Sequence, residues 1–407
     1  MNASVAAVSP IHRPEDRHRP LVSSGRLRLD AAACLAERFP DRPCRLCIAA
    51  CPLALLESAG GAPRLVDQVR PCDDACIGCG QCAAVCPSGA LHVDGFAVPF
   101  EIPGEAELLI DCWRVPAAES PTGALRVPCL GGLTTGWLLS LFDEAGERAI
   151  RLLDRGQCAD CPAGAGSGML LAAISEARLL LFECGVDILR MPMLVGRACG
   201  APLLPAIPER NAETPIARRA FFRALLGESV RVVEAATPSR GAGPAILRSP
   251  VQPLPRLRLV AALASIARRH QRPVPRRALP RLSLASCEAH GVCAAVCPTG
   301  ALHKRPPAGG RSELGFAALR CIACAQCVRA CPEQALSLDA AGGSADDEVL
   351  RTWRQIECTR CGADFAQPAA GPDGKMALCS ACRKTETFSL GVAAFVRAPV
   401  SSDVSQP

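Results

Sequence analysis

Tyrosine is absent from the 407 residues, lysine occurs three times (Lys304, Lys375, Lys384), and there are only 11 phenylalanines and 3 tryptophans. Nucleic-acid binders interleave aromatic stacking platforms with cationic charge, so their absence argues against that class although the formal net charge is +6. Long apolar runs are missing as well. The polar start MNASVAAVSPIHRPEDRHRP carries no apolar leader core, and the most apolar later stretch, 170–186, is interrupted by Glu176, Arg178 and Glu183. A soluble cytoplasmic protein without a membrane span is the expectation. The segment ARRAFFR at 217–223 has the look of a twin-arginine export signal, but it lies deep in the chain with no apolar run after it and reads as a basic helix face. There is no phosphate-binding loop, and Gly164, Gly166 and Gly168 fail the spacing of a dinucleotide-binding turn. No Ser-His-Asp set or paired acid/base constellation appears, so no catalytic residue is assigned.

Cysteine is in excess, at 26 residues. A chain of this length is not a small disulfide scaffold, and the cysteines fall into ligand-spaced groups, which predicts metal or cluster ligation in a reducing compartment. Bound thiolates would lower the charge of the loaded protein by roughly ten, so the formal basicity says little about partners.

The most regular group, Cys76, Cys79, Cys82 and Cys86, follows C-x2-C-x2-C-x3-C-P. In this run three thiolates hold one [4Fe-4S] cube and the fourth reaches a second cube. Upstream, Asp41, Cys44, Cys47, Cys51 and Pro52 repeat the run with Asp41 at the first position. Cys34, a better ligand type than a carboxylate, is favoured as the replacement over Asp41, with Cys72 a third candidate that reads more simply as a spare thiol. The crossing rule then assigns Cys34, Cys44, Cys47 and Cys86 to one cube, and Cys51, Cys76, Cys79 and Cys82 to the other.

A second pair follows at 287–336, with Cys287, His290, Cys293 and Cys297 and then Cys321, Cys324, Cys327 and Cys331. CPSGAL at 86, CPTGAL at 297 and CPEQAL at 331 are one repeated phrase. Cys297, Cys321, Cys324 and Cys327 would hold a third cube, and Cys287, Cys293 and Cys331 most of a fourth. Its last position is either His290 as a ligand, which would raise the potential by removing a negative charge, or a [3Fe-4S] cluster with His290 unbound. Both flanking modules resemble two-cluster bacterial ferredoxins. That resemblance rests on the ligand pattern and covers about 120 residues, and it implies one-electron carriage with the protein setting potential and docking.

Between the pairs, 107–112 and 125–129 read as short buried strands, 134–144 as an amphipathic helix and 149–153 as another strand, followed by a turn into a helix from Met169. Cys112, Cys129, Cys158 and Cys161 stand at or just past strand ends, where loops of a parallel sheet gather. The segments DCWRVP, RVPCLGGL and LLDRGQCADCPAG resemble the delta subunit of methyl-viologen-reducing hydrogenases. The resemblance implies a [2Fe-2S] cluster on these four cysteines and electron transfer to a partner reductase. Zinc is the other reading of the ligand set. Cys184 reads as a core residue, and Cys199 is unassigned.

Arg268, Arg269, Arg272, Arg276, Arg277 and Arg281 form a basic run, read as a solvated face in preference to a docking patch for an acidic redox partner. Cys358, Cys361, Cys379 and Cys382, two C-x2-C pairs separated by 17 residues, have zinc-ribbon spacing; a rubredoxin-like iron site is less well matched.

The expected architecture is α+β and multidomain: two ferredoxin-like 2[4Fe-4S] modules flanking a small α/β domain, with a C-terminal zinc ribbon. The boundaries are a disordered arm at 1–29, a first module at 30–98, an α/β domain at 99–202 and a Pro/Arg-rich linker with helices near 216–226 and 257–269 within 203–281. A second module at 282–342, a ribbon at 350–390 and a tail at 391–407 complete the chain. The function expected is that of an iron-sulfur electron carrier, or the electron-transfer subunit of an oxidoreductase complex with a redox partner protein. An iron-sulfur assembly or maturation factor for a partner metalloenzyme is the alternative.

Overall fold

A computed structural model describes residues 19–20, 27–59, 62–65, 76–99, 102, 106–204, 249–285, 287–308, 311–368 and 377–386. Cys72, the helix expected near 216–226 and the tail at 391–407 lie outside these residues. The chain mixes helices and strands, and no described helix is long and apolar enough to cross a membrane.

The segment Leu27–Leu29, expected within a disordered arm, is a strand between Arg19–Pro20 and Leu91–Val93, antiparallel to both. The alternation Leu-Arg-Leu explains the difference: Leu27 and Leu29 turn inward and are fully buried while Arg28 is half-buried. An equivalent pair, Arg281–Leu284 against Leu336–Asp339, closes the second cysteine-rich unit.

The repeat is written in the backbone. Ala54, Gly89, Gly300 and Gln334 occupy the fourth position of each Cys-Pro-x-x phrase, and all four have positive φ. Three of the ligand runs also share left-handed residues on either side of the second ligand position, Gly78 and Gly80, Ala289 and Gly291, Ala323 and Ala325. Each alternation turns the chain back before a one-turn helix: Gln81–Ala84, Val292–Ala295 or Gln326–Ala330. Glycine adopts this conformation freely, whereas alanine carries strain of order 1 kcal/mol or more.

The middle of the chain is a parallel sheet in which Glu107–Cys112 lies between Leu125–Val127 and Ala149–Asp154, with Met193–Gly196 on the outer edge of the last. That fourth strand was missed because its side chains are exposed or half-buried and carry no clear alternation. Leu108, Ile110, Ile150 and Leu152 are fully buried, as expected where parallel strands are covered on their faces. The helix Thr135–Glu144 starts where the Thr134 hydroxyl accepts the Trp137 N–H at 3.0 Å. The helix Ser167–Glu183 packs into the same core and ends at the fully buried Cys184.

The presumed linker contains a core element. The helix Leu254–Arg269 buries Ala262, Leu263, Ile266 and Ala267, a helical stripe that joins the core of the sheet. Leu259 crosses the Thr135–Glu144 helix at Gly136, where an added Cβ would lie 3.1 Å from the Leu259 Cβ. At the other side, Arg256 donates to the carbonyls of Ala278 (2.7 Å), Ala318 (3.1 Å) and Leu319 (3.3 Å), tying this helix to the second cysteine-rich unit.

The basic run after the helix is exposed at Arg268, Arg269, Arg272, Arg276, Arg277 and Arg281, but its charges are partly used internally. Arg269 pairs with Asp143 and Glu147, Arg277 pairs with Glu183, and Arg276 donates to the carbonyls of Gly342 and Gly343. The expected ribbon boundary also shifts: Asp347–Glu357 pairs with Arg311–Ala317 on one side and Asp364–Pro368 on the other. The two strands of the ribbon region therefore extend a hairpin of the second unit in a four-stranded antiparallel sheet.

Glu147 anchors the far end of the central helix. It is 7% exposed and accepts from Arg269 at 2.9 Å, with a His270 nitrogen 3.0 Å away. Burial acts to raise its pKa, but the hydrogen bonds and charges of His270 and Arg269 outweigh it and hold the carboxylate below its ordinary value. A depressed carboxylate binds fewer protons folded than unfolded, so its contribution is complete above the unfolded pKa and disappears as pH falls through the folded one. Glu147→Gln is expected to lower stability by about 1–3 kcal/mol near neutral pH. Anaerobic thermal melts of both proteins should show a gap near neutral pH that narrows below about pH 4.

Candidate metal centres

Two hollows of similar size lie side by side in the first cysteine-rich unit. One, of ≈ 340 Å³, is lined by Cys34, Cys44, Cys47 and Cys86. The other, of ≈ 410 Å³, is lined by Cys51, Cys76, Cys79 and Cys82. Each hollow thus takes three cysteines from one part of the chain and its fourth from the other run. Apart from Ser88 in the first, the residual lining is apolar, including Leu29, Leu35 and Leu91 around the first and Leu27, Leu56 and Val93 around the second.

Cys34 reaches its hollow through a local turn. The Asp30 carboxylate accepts from the N–H groups of Ala32 (2.9 Å) and Ala33 (3.2 Å), and the turn delivers Cys34 inward at 7% exposure. Asp41 is exposed and absent from the lining. Pro43 supplies a reason: it occupies the position matching Gly78, and its ring fixes φ near −65°, so the left-handed turn used by the other runs cannot form there.

Burial makes these thiols poor acids. Burial first, then the charges of Cys86, Cys44 and Cys34, push Cys47 up to about 12; burial pushes Cys79 up to about 11 against an opposing hydrogen bond from the Gln81 backbone. Cys82 is shifted upward for the same reason, burial. Such groups are protonated at neutral pH when empty, and metal must displace the protons to bind. Cys47 feels Cys86, Cys44 and Cys34 of its own hollow and Cys79 feels Cys76 and Cys51 of its own, while Cys82 feels Cys47 of the adjoining hollow as well.

In the second unit, the charge of Cys297 acts on Cys321, Cys324 and Cys327, whose thiols are all raised chiefly by burial, Cys321 to about 11 and Cys327 to about 12. Cys293 is raised by burial and feels Cys287 and Cys331. His290, between Cys287 and Cys293, is exposed. Backbone N–H groups point at several of the sulfurs: Leu55 at Cys51, Ala289 at Cys287, Leu302 at Cys297 and Ala335 at Cys331, at 3.3–3.4 Å. Such donors offset thiolate charge and suit ligands of an anionic cluster.

At the carboxyl edge of the parallel sheet, Cys112 ends its strand, Cys129 follows the strand Leu125–Val127, and Cys158 and Cys161 follow Ala149–Asp154. Cys129 is pushed up by burial and by Cys112, with Cys79 and Cys161 also acting on it; Cys112 is pushed up to about 11 by burial, with Cys161 and Cys158 adding to it. The N–H groups of Arg114 and Ala163 approach the sulfurs of Cys112 and Cys161, each at 3.4 Å. Arg114, 6% exposed, sets its Nη1 3.0 Å from the Cys161 sulfur and its Nε 2.7 Å from the Leu204 carbonyl. Sequence reading missed this cation because DCWRVP gives no sign of where the guanidinium turns. Beneath it, Asp111 and Arg155, 0% and 5% exposed in their side chains, form a bidentate pair at 2.5 and 3.1 Å, and Asp111 accepts the Cys112 N–H at 2.9 Å. Cys199 is half-buried, and its thiol lies 3.3 Å from the Ala201 carbonyl.

The ligand atoms of Cys358, Cys361, Cys379 and Cys382 all lie within 4.8 Å of one another, and the Cys361 and Cys379 sulfurs are 3.8 Å apart. A tetrahedron with Zn–S bonds of about 2.3 Å has S···S edges of about 3.8 Å, so this group is dimensioned for a single ion. The Cys379 N–H, 3.3 Å from the Cys358 sulfur, leads the interactions that hold that thiol down to about 6. Arg383 pairs with Glu288 and Lys384 with Glu333, docking this group onto the second unit.

Anaerobic reconstitution of Cys34→Ser should lose about four irons per chain, one cube, whereas Asp41→Ala should retain them; full iron in Cys34→Ser would contradict the grouping. Against known proteins, no curated sequence matches the chain. Residues 73–92 match the family described as the 4Fe-4S binding domain, which is consistent with a ferredoxin-like iron-sulfur protein.

Proposed function

We propose that the protein is a multi-centre electron relay, serving as an electron carrier or as the electron-transfer subunit of an oxidoreductase complex. The matched iron-sulfur segment supports an electron-transfer role in general. The observation that carries the fuller reading is the pair of four-cysteine hollows with exchanged fourth cysteines. When bound, iron-sulfur clusters supply reversible one-electron chemistry.

The chain's residues do the rest. Cys34, Cys44, Cys47 and Cys86 hold the first cube, Cys51, Cys76, Cys79 and Cys82 the second, and Cys297, Cys321, Cys324 and Cys327 the third. Cys287, Cys293 and Cys331 hold the fourth, as a cube completed by His290 or as a three-iron cluster beside it. Cys112, Cys129, Cys158 and Cys161 hold a [2Fe-2S] centre. This assignment retains the resemblance to the hydrogenase delta subunit, and Arg114 offsets the charge at that site. Zinc on Cys358, Cys361, Cys379 and Cys382 braces the C-terminal strands. The redox partner is a protein, and cytoplasmic residence fits a long chain whose cysteines are grouped at ligand spacing.

Purification under anaerobic conditions followed by metal analysis tests this reading. It predicts about 18 iron and about one zinc per chain, from four cubes, one two-iron centre and one four-thiolate zinc site. Iron near eight would mean that a single ferredoxin pair is loaded and would overturn the relay.

A further inference from the structure

The second hollow and the four-cysteine edge of the sheet are in direct packing contact. Gln81, between Cys79 and Cys82, is 1% exposed and donates its side-chain amide to the Ala163 carbonyl at 2.7 Å, two residues beyond Cys161. On the same seam, a Cβ added to Gly166 would lie 2.2 Å from Gln81 Nε2. A Cβ added to Gly132, three residues after Cys129, would lie 2.5 Å from the Cys79 carbonyl oxygen and 2.4 Å from the Phe96 ring. Phe96 also covers Gly80, so its ring lies between the Cys79–Cys82 loop and the loop that follows Cys129. The two glycines and the flat ring bring the backbones of the two sites together without intervening solvent-exposed side chains.

The first hollow faces elsewhere. Its Cys86-Pro-Ser-Gly89 loop lies against the start of the central helix, where a Cβ on Gly89 would be 2.7 Å from Pro255 Cδ. The same stretch meets the matching loop of the second unit, with Val251 N–H donating to the Pro298 carbonyl at 2.7 Å and Pro250 3.6 Å from the Cβ position of Gly300. Arg42 Nη1, beside Cys44, lies 3.5 Å from the Arg329 carbonyl, between Cys327 and Cys331.

We infer that the relay has a fixed order in which the Cys112/Cys129/Cys158/Cys161 centre is a terminal station joined, among the described residues, to the second cube alone, while the first cube faces the second ferredoxin unit. This rests on the reading that the sheet-edge cysteines hold a redox-active iron centre. Exchange across the junction is a one-electron oxidation of one centre matched by a one-electron reduction of the other, with no proton or bond transferred. Gln81 is the positioning residue that fixes the spacing.

The test is EPR of the full-length, iron-loaded chain reduced with dithionite, read for splitting at low temperature, where the cube signals are still resolved, and for relaxation rate at higher temperature, where the cube signals have relaxed away and the sheet-edge signal persists. That signal should relax fast and show splitting from the second cube. Cys76→Ser, which removes a ligand of the second cube, should abolish the splitting and slow the relaxation, whereas Cys44→Ser and Cys321→Ser should leave both unchanged. Gln81→Leu, with every ligand intact, should weaken the splitting at unchanged iron content, which keeps the test open if Cys76→Ser fails to fold. Splitting that survives in both Cys76→Ser and Gln81→Leu, or an iron-loaded sheet-edge centre with no splitting, would overturn the order while leaving the relay intact. Zinc in place of iron at the sheet edge would overturn the relay reading there, and the inferred order with it.

Discussion

Burying thiols is the constraint on which the structure depends. A cysteine sulfur binds metal as the thiolate, yet burial favours the neutral thiol, and it is the leading cause of the upward shifts at Cys47, Cys79, Cys112, Cys321 and Cys327. Metal charge, N–H donors aimed at sulfur and the Arg114 guanidinium are the available compensations. Without metal, the first cysteine-rich unit has little else to fold around. The buried cluster of the first unit is a short aliphatic set, with Leu27, Leu29, Leu56, Leu91 and Val93, and the cysteines themselves complete it. Folding and metal loading are accordingly linked.

The same constraint shapes the rest of the chain. The parallel sheet has a conventional apolar core and brings its four cysteines to one edge, held by the buried Asp111–Arg155 pair. The helix Leu254–Arg269 joins this core to the second unit through Arg256 and abuts the first through Pro255. A helix that packs on three bodies fixes their spacing, and electron transfer between centres depends on spacing.

Much of the local organisation is legible in the sequence because ligand chemistry imposes rigid spacing. The Cys-Pro-x-x phrases announce their repeat, and the structure gives all four a left-handed residue at the same position. The strand Glu107–Cys112 and the helix Thr135–Glu144 follow from periodicity. Tertiary consequences were hidden. Nothing local separates Leu254–Arg269 from a helical linker, since its burial depends on Gly136 lying opposite Leu259. Arg269 and Arg277 look like a free basic face until the fold brings Glu147 and Glu183 beside them. Gln81 gives no local sign of its role, because its partner, Ala163, is 82 residues away.

The measurement that tests the central claim most directly is an anaerobic coulometric titration of the purified, fully loaded chain. A relay of four cubes and one two-iron centre takes up about five electrons per chain in reversible one-electron steps. An uptake of about two, or metal that cannot be reduced reversibly, would contradict it.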